Sequence, residues 1–298
     1  MPQTTTKKKP AKKTAAKKTA ATTVTAKPYG ISLHIGLNKI DASHYGSSYP
    51  LAACINDAKD MLKVAKQKGF DESTVLTDEN GTYTAIKKQI RAAAKKLRKN
   101  DFFLITYSGH GAYVPDNNKD ESDGNDETWC LYDRMIIDDE LAYLWSKFRS
   151  GVRILMISDS CHSGTVSRVL KADGSFDDAP PVQKNRLIKE GPAIYKKHKS
   201  LYDNDIPESV KNLSKKNVIR ASVILMSGCQ DNQFSLDGIK NGLFTEKLLK
   251  VYNKGKFKGN YAGLLTAILK QMPSNQTPNY SLIGKRNIVF ENGKPFEK

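Results

Sequence analysis

An α/β fold with a mostly parallel central sheet and helices on both faces is predicted by three features of this 298-residue chain. Apolar runs of strand length alternate with longer segments of helical periodicity. The strand-like runs are nearly continuous in apolar residues, as expected of parallel strands covered on both sides. Two of them, Phe102 to Thr106 and Val152 to Ser158, end in short glycine- and serine-containing segments that each carry a reactive side chain.

The elements follow in order. Tyr29 to Leu37 reads as a strand in which Ile31, Leu33 and Ile35 alternate with Ser32, His34 and Gly36. Leu51 to Lys68 has helical spacing through Leu51, Ile55, Ala58, Leu62 and Ala65, and Gly69 ends it. Thr74 to Leu76 is a short strand, and Thr82 to Leu97 an amphipathic helix with Ile86, Ile90, Ala93 and Leu97 on one face. Asp101 to Tyr107 is a strand, Thr128 to Tyr132 with Met135 to Ile137 a hairpin, Asp138 to Phe148 a helix, and Val152 to Ser158 a strand. From Thr165 to about Arg220 charge, Pro180-Pro181 and scattered glycines replace periodicity, which predicts a long exposed linker. Ala221 to Ser227 is then a strand, Leu243 to Tyr252 and Tyr261 to Met272 are helices, and Asn287 to Phe290 is expected as a last strand.

Composition narrows the function. No apolar stretch approaches the roughly 20 residues needed to cross a bilayer, and the basic amino terminus lacks the apolar core of a signal peptide. Cys54, Cys130, Cys161 and Cys229 lie far apart without CxxC pairs, so reduced thiols and a cytoplasmic setting are expected. Of the formal charge of +17, residues 1–27 supply +8 through eight Lys and no acid, leaving +9 on the other 271 residues. That Lys/Ala/Thr-rich tail cannot bury enough apolar surface to order itself, and it could bind phosphate backbones. A reading follows in which the tail carries a nucleic-acid-associated function and the folded domain is its scaffold.

The chemistry points elsewhere. Tyr107-Ser108-Gly109-His110-Gly111 and Asp159-Ser160-Cys161-His162-Ser163-Gly164 place a His and a Cys fifty-one residues apart, each just past the carboxyl end of a strand. In parallel α/β sheets ligands bind there. A thiolate at Cys161 with His110 as its acid/base partner is the machinery of nucleophilic catalysis. Glycine amides at 109, 111 and around 164 are candidate oxyanion donors. The spacing of His110, Cys161 and His162 matches no usual zinc-ligand gap.

These two segments resemble those of the metacaspases, caspase-like cysteine peptidases. Ala53-Cys54-Ile55-Asn56-Asp57-Ala58 and Ser227-Gly228-Cys229-Gln230-Asp231-Asn232-Gln233 match as well, and the likeness spans roughly 29–285 in the same order. The compact form looks most like the prokaryotic orthocaspases. The resemblance implies a caspase-like three-layer fold over 28–290, with a large-subunit-like part at 28–164, a linker at 165–220 and a small-subunit-like part at 221–290. It implies a Cys161–His110 dyad and an S1 pocket formed by Cys54, Asp57, Ser108 and Asp159. Asp159 lies two residues before Cys161 and so shares its face of an extended chain. Two carboxylates in one pocket repel unless a cation sits between them, and the Arg or Lys preceding a scissile bond is such a cation. Cleavage of protein or peptide substrates after Arg or Lys, and not after Asp, is therefore expected. Calcium-activated relatives use positions matching Asp126, Asp138 and Asp139 plus an Asp seven residues after the nucleophile, where this chain has Arg168. The acidic positions suit calcium; a cation at the fourth opposes it, so no cofactor is expected to be required. Self-cleavage is expected in the linker, where Arg168, Lys184, Arg186, Lys189 and Arg220 are among the basic residues, without a particular bond being singled out. The expected state is a monomer.

Overall fold

The computed structural model describes Met1 and residues 27–116, 124–160, 185–205, 219–229 and 235–298. Residues 2–26 of the basic tail, Cys161, His162 and Arg168 lie outside the described residues.

The central sheet has six strands, and its inner members are the apolar runs that the pattern marks. They are β1 (Gly30–Gly36), β2 (Glu72–Thr77), β3 (Phe102–Ser108), β7 (Arg153–Asp159), β9 (Ser222–Ser227) and β10 (Asn279–Gly284), in the order β10-β9-β7-β3-β1-β2. All neighbours are parallel except the edge pair β10 and β9. Alternate side chains of each inner strand face opposite layers. Phe103, Ile105, Ile154 and Met156 pack against α3 (Tyr83–Lys96) and α4 (Asp138–Ser146). Phe102, Leu104, Leu155 and Ile157 pack on the other side against α2 (Cys54–Gln67), α7 (Leu243–Tyr252) and α8 (Tyr261–Leu269). Both faces are thus covered, as the continuous apolar runs require. Residues past 290 join the second layer through Phe296, which is fully buried.

A second, four-stranded sheet consists of β4 (Gly111–Pro115), β5 (Asn125–Cys130), β6 (Met135–Ile137) and β8 (Leu187–Ile188), ordered β6-β5-β4-β8. With α1 (Ala42–Tyr45), α5 (Gly191–Lys197) and α6 (Lys199–Asp205) it forms a small core of its own, including Ile40, Val114, Ile188, Ile194 and Tyr202.

Two expectations change. Asn287 to Phe290 is not a strand: Asn287 accepts a hydrogen bond from the Phe290 amide and caps the short helix α9 (Ile288–Glu291). Ile288 and Val289 are exposed while Phe290 is buried, so one turn of helix presents a single apolar contact. The last strand is β10 instead, whose half-exposed edge position carries too weak an alternation to mark it. The predicted linker holds β8, α5 and α6, and its Arg186, Ile188, Tyr195 and Tyr202 are buried. The described part of that segment therefore belongs to the domain.

The topology sets the site. From β1 the chain steps one way to β2 and then the other way to β3, leaving a crevice at the carboxyl ends of β1 and β3. The strands end level, with Gly36 beside Ser108 and Ser108 beside Asp159. Helix α2 lies directly over the end of β1, since a Cβ at Gly36 would collide with the Cys54 carbonyl. That close approach delivers Cys54 and Asp57 to the strand ends.

Candidate active site

Cys54, Asp57, Ser108 and Asp159 do come together, and the group at their centre is Arg186. This arginine is completely buried. Its Nη2 lies 3.2 Å from Asp57 Oδ2 and 2.9 Å from Asp237 Oδ1, and its Nη1 lies 3.0 Å from Asp159 Oδ1. Nη1 also donates to Ser108 Oγ at 3.0 Å and to the Asp159 carbonyl at 2.6 Å. Three carboxylates thus surround one guanidinium.

Each carboxylate is held by donors from the surrounding elements. Asp57 accepts from Ser108 Oγ at 2.6 Å and from Asn241 Nδ2 and the Gly242 amide, each at 3.0 Å. Asp159 accepts from Ser235 Oγ at 2.5 Å and from the Thr245 amide and hydroxyl at 2.9 and 2.7 Å, at the positive end of α7. Asp237 accepts from the amides of Ala52 and Ala53 at 2.7 and 3.3 Å, which caps α2 where Ala53 supplies no side-chain cap. Gly242 forms part of the wall, because a Cβ there would lie 2.5 Å from both Arg186 Nη2 and Asp159 Oδ2.

The electrostatics are strained in a defined direction. Burial pushes the Asp57 carboxyl up to about 7, with the Asp159 charge adding to it, against the pull of Arg186, Ser108 and Asn241. Burial alone would lower the pKa of Arg186, but Asp159, Asp57 and Asp237 outweigh it and raise it well above the usual value. Burial also pushes the Cys54 thiol far up, so Cys54 is a neutral wall residue.

His110 stands beside this chamber, 4% exposed. Its Nε2 lies 2.7 Å from the Tyr49 carbonyl, an acceptor only, so Nε2 carries the proton. Nδ1 is buried and has no hydrogen-bond partner among the described residues. Burial lowers the pKa of the ring, while the carbonyls of Tyr49 and Arg186 push it back up. The Arg186 carbonyl accepts from the Gly111 amide at 2.9 Å. The neighbouring Gly109 amide points instead at the Asp159 carbonyl, 3.4 Å away. Tyr49 has a φ of 42°, in the left-handed region and just before Pro50, a strained arrangement that aims its carbonyl at the ring.

The chain leading to Cys161 is fixed up to its last described residue. Trp129 Nε1 donates to Ser158 Oγ at 2.9 Å, and Ser158 Oγ lies 2.8 Å from Ser160 Oγ. Cys229 Sγ lies 3.4 Å from the Ser160 carbonyl. Among the described residues no group of three or more His, Cys, Asp or Glu side chains could hold a metal ion. Asp138 and Asp139 instead open α4, where the Asp139 amide donates to Asp138 Oδ1 at 3.0 Å.

Sequence reasoning did not single out Asp237, Ser235, Thr245, Asn241, Gly242 or Tyr49. Their roles depend on long-range contacts between side chains and backbone groups of separate segments, which leave no local pattern.

A caspase-like α/β sandwich with an acidic chamber and a carbonyl-anchored histidine at its strand ends defines the class. The chain belongs to the caspase-domain family, which matches it over residues 35–287. Among its relatives, metacaspase-1 of Saccharomyces cerevisiae is 30% identical over 77% of this chain and 61% of its own length. Metacaspase-3 of Arabidopsis thaliana is 37% identical over 42% of this chain and 38% of its own length. The chain therefore spans about three-fifths of the length of the yeast relative. The crystal structure of protein GSU0716 from Geobacter sulfurreducens superposes with a TM-score of 0.80 at 42% identity, covering 91% of this chain and 99% of that one. Caspase-1 of Spodoptera frugiperda shares the fold, with a TM-score of 0.56 at 15% identity over 90% of this chain and 92% of that one. No helix among the described residues is long and apolar enough to cross a membrane.

Proposed function

We propose that this chain is a cysteine endopeptidase of the metacaspase kind that cuts after Arg or Lys, with Cys161 as nucleophile and His110 as its acid/base partner. One observation carries the reading: Asp57 and Asp159 both lie within ion-pair distance of a single guanidinium beside His110. A chamber that holds a cation this way rejects an Asp side chain, which would add a further buried negative charge. The register supports the dyad, since Ser108 opposite Asp159 is an offset of fifty-one residues, the interval that separates His110 from Cys161.

The chemistry follows from the histidine. Held neutral by burial and protonated at Nε2, His110 has its Nδ1 lone pair available to take the Cys161 proton. The thiolate adds to the scissile carbonyl carbon while the Gly111 amide donates to the developing oxyanion. His110 Nδ1 returns the proton to the leaving amine as the C–N bond breaks. Water, deprotonated by His110, then hydrolyses the thioester to a carboxylate and restores the thiol. These steps are written without a metal, and the calcium arm of the test below decides the part of Asp126, Asp138 and Asp139. The same reading places self-cleavage within 165–220 and a monomer in the cytoplasm acting on protein substrates.

The test is hydrolysis of matched fluorogenic peptides ending in Arg, Lys or Asp, with and without calcium, beside Cys161→Ala and His110→Ala. Arg and Lys peptides should be cut and Asp peptides spared, with both variants inactive. Cleavage after Asp would overturn the pocket and leave the dyad standing.

A further inference from the structure

The chamber that a substrate side chain would enter is already filled by the chain's own Arg186. We propose that Arg186 is this protein's internal P1 residue: it plugs the acidic chamber of the uncut chain, and Arg186–Leu187 is the bond whose cleavage opens that chamber. The inference rests on the cysteine-peptidase reading and deepens it, naming the bond and the regulation.

The backbone around Arg186 is arranged as a bound peptide would be. Asn185 bridges Leu236 in antiparallel fashion, and the Arg186 amide donates to the Ser235 carbonyl at 3.2 Å. Strand-like main-chain pairing of this kind is how extended peptides are gripped. The Arg186 carbonyl takes the Gly111 amide, the donor assigned to the oxyanion, and acts on the His110 ring. Beyond the bond, Leu187 and Ile188 pair in parallel with Gly111 and Ala112 of β4, which holds the leaving side in place. Side chain, carbonyl and both flanking residues are thus set at once.

Occupancy also explains the electrostatics. Asp57, Asp159 and Asp237 crowd three carboxylates into one buried chamber, where they repel one another unless a cation sits between them, and Arg186 provides it inside one chain. The chamber is therefore closed to other substrates while Arg186 is seated. Cleavage breaks the Arg186–Leu187 C–N bond through the Cys161 thioester, and water leaves a carboxylate on Arg186 and an amine on Leu187. The severed end can then withdraw and free the chamber.

The test is incubation of the purified full chain with intact-mass analysis and amino-terminal sequencing, alongside hydrolysis of a P1-Arg peptide. The expected result is a fragment beginning at Leu187, with peptide hydrolysis rising as it accumulates. Cys161→Ala should stay intact, Arg186→Gln should lose that fragment, and Arg186→Lys, which keeps the charge, should form it more slowly. The wild-type sequencing stands whether or not Arg186→Gln folds. Peptide hydrolysis by an intact chain, or by a chain cut only elsewhere, overturns the Arg186 assignment and spares the peptidase reading. No peptide hydrolysis and no self-cleavage overturns both together.

Discussion

Among the described residues two arginines are buried, and they are buried for different reasons. Arg134 is a local staple: it donates twice to Glu140, six residues away, and its guanidinium lies 4.1 and 4.8 Å from the ring centroids of Tyr83 and Tyr202. Arg186 is met by carboxylates from three distant stretches, Asp57 on α2, Asp159 at the end of β7 and Asp237 after β9. The first cation is part of the building. The second occupies a receptor that tertiary structure assembled around it. Arg134 meets a single carboxylate, on the helix that follows its hairpin, whereas Arg186 meets three from separate stretches of the chain.

That contrast is broken or upheld by variants at both places, from the largest effect on activity to the smallest. Asp159→Asn removes a charge that three donors and Arg186 address, so kcat/KM on P1-Arg peptides should fall about 30-fold or more, corresponding to about 2–5 kcal/mol for a buried charged contact. Steady-state kinetics on Arg and uncharged P1 peptides checks it, and equal losses on both would deny Asp159 its role in specificity. Gly242→Ala puts a methyl against Arg186 and Asp159, which should cost about 1–3 kcal/mol by overpacking and block cationic side chains. Urea melts and peptide KM together would report it.

The pH dependence of binding comes next. The Asp57 carboxyl is raised to about 7 by burial, so below that it takes up a proton and loses its attraction for a cation. The KM of a P1-Arg peptide should rise as pH falls through this range and be weak and flat in Asp57→Asn. A wild-type KM independent of pH would mean that Asp57 stays ionised throughout. Arg134→Lys makes the smallest change in activity. Losing the forked contact and ring stacking should lower stability by about 1–3 kcal/mol, seen in thermal melts, while the preference for Arg over Asp peptides stays unchanged.

The legible parts of this protein were those written in long apolar patterns or in tight local motifs. Strands β1, β3, β7 and β9 match their predicted runs within a residue or two, because a strand buried on both faces must be apolar throughout. The helices α2, α3 and α7 carry clear stripes, with Met61, Val64 and Ala65 on one and Ile86, Ile90 and Ala93 on another. Edge elements left weaker marks. β10 is half-exposed, β8 is two residues long, and Asn287 to Phe290 is too short for its period to distinguish strand from helix. Cys54, Asp57, Ser108 and Asp159 were legible through the family resemblance, because they sit in its two strand-end motifs and one helix start. Asp237 and Tyr49 were not, since one acts through a helix end across 185 residues and the other through a backbone carbonyl.

By itself, then, the order of residues determined the layers, the strand-end placement of His110 and Asp159, and the two separate acids that the family resemblance pairs. Those follow from periodicity and from charge, which any local window contains. Which cation satisfies them was decided only by tertiary structure. Arg186 lies in a segment whose pattern reads as linker, among other basic residues, and nothing local separates it from Lys184 or Lys189. What distinguishes it is that β8 pairs with β4 and Asn185 with Leu236, and those long-range hydrogen bonds bring this side chain to the three carboxylates.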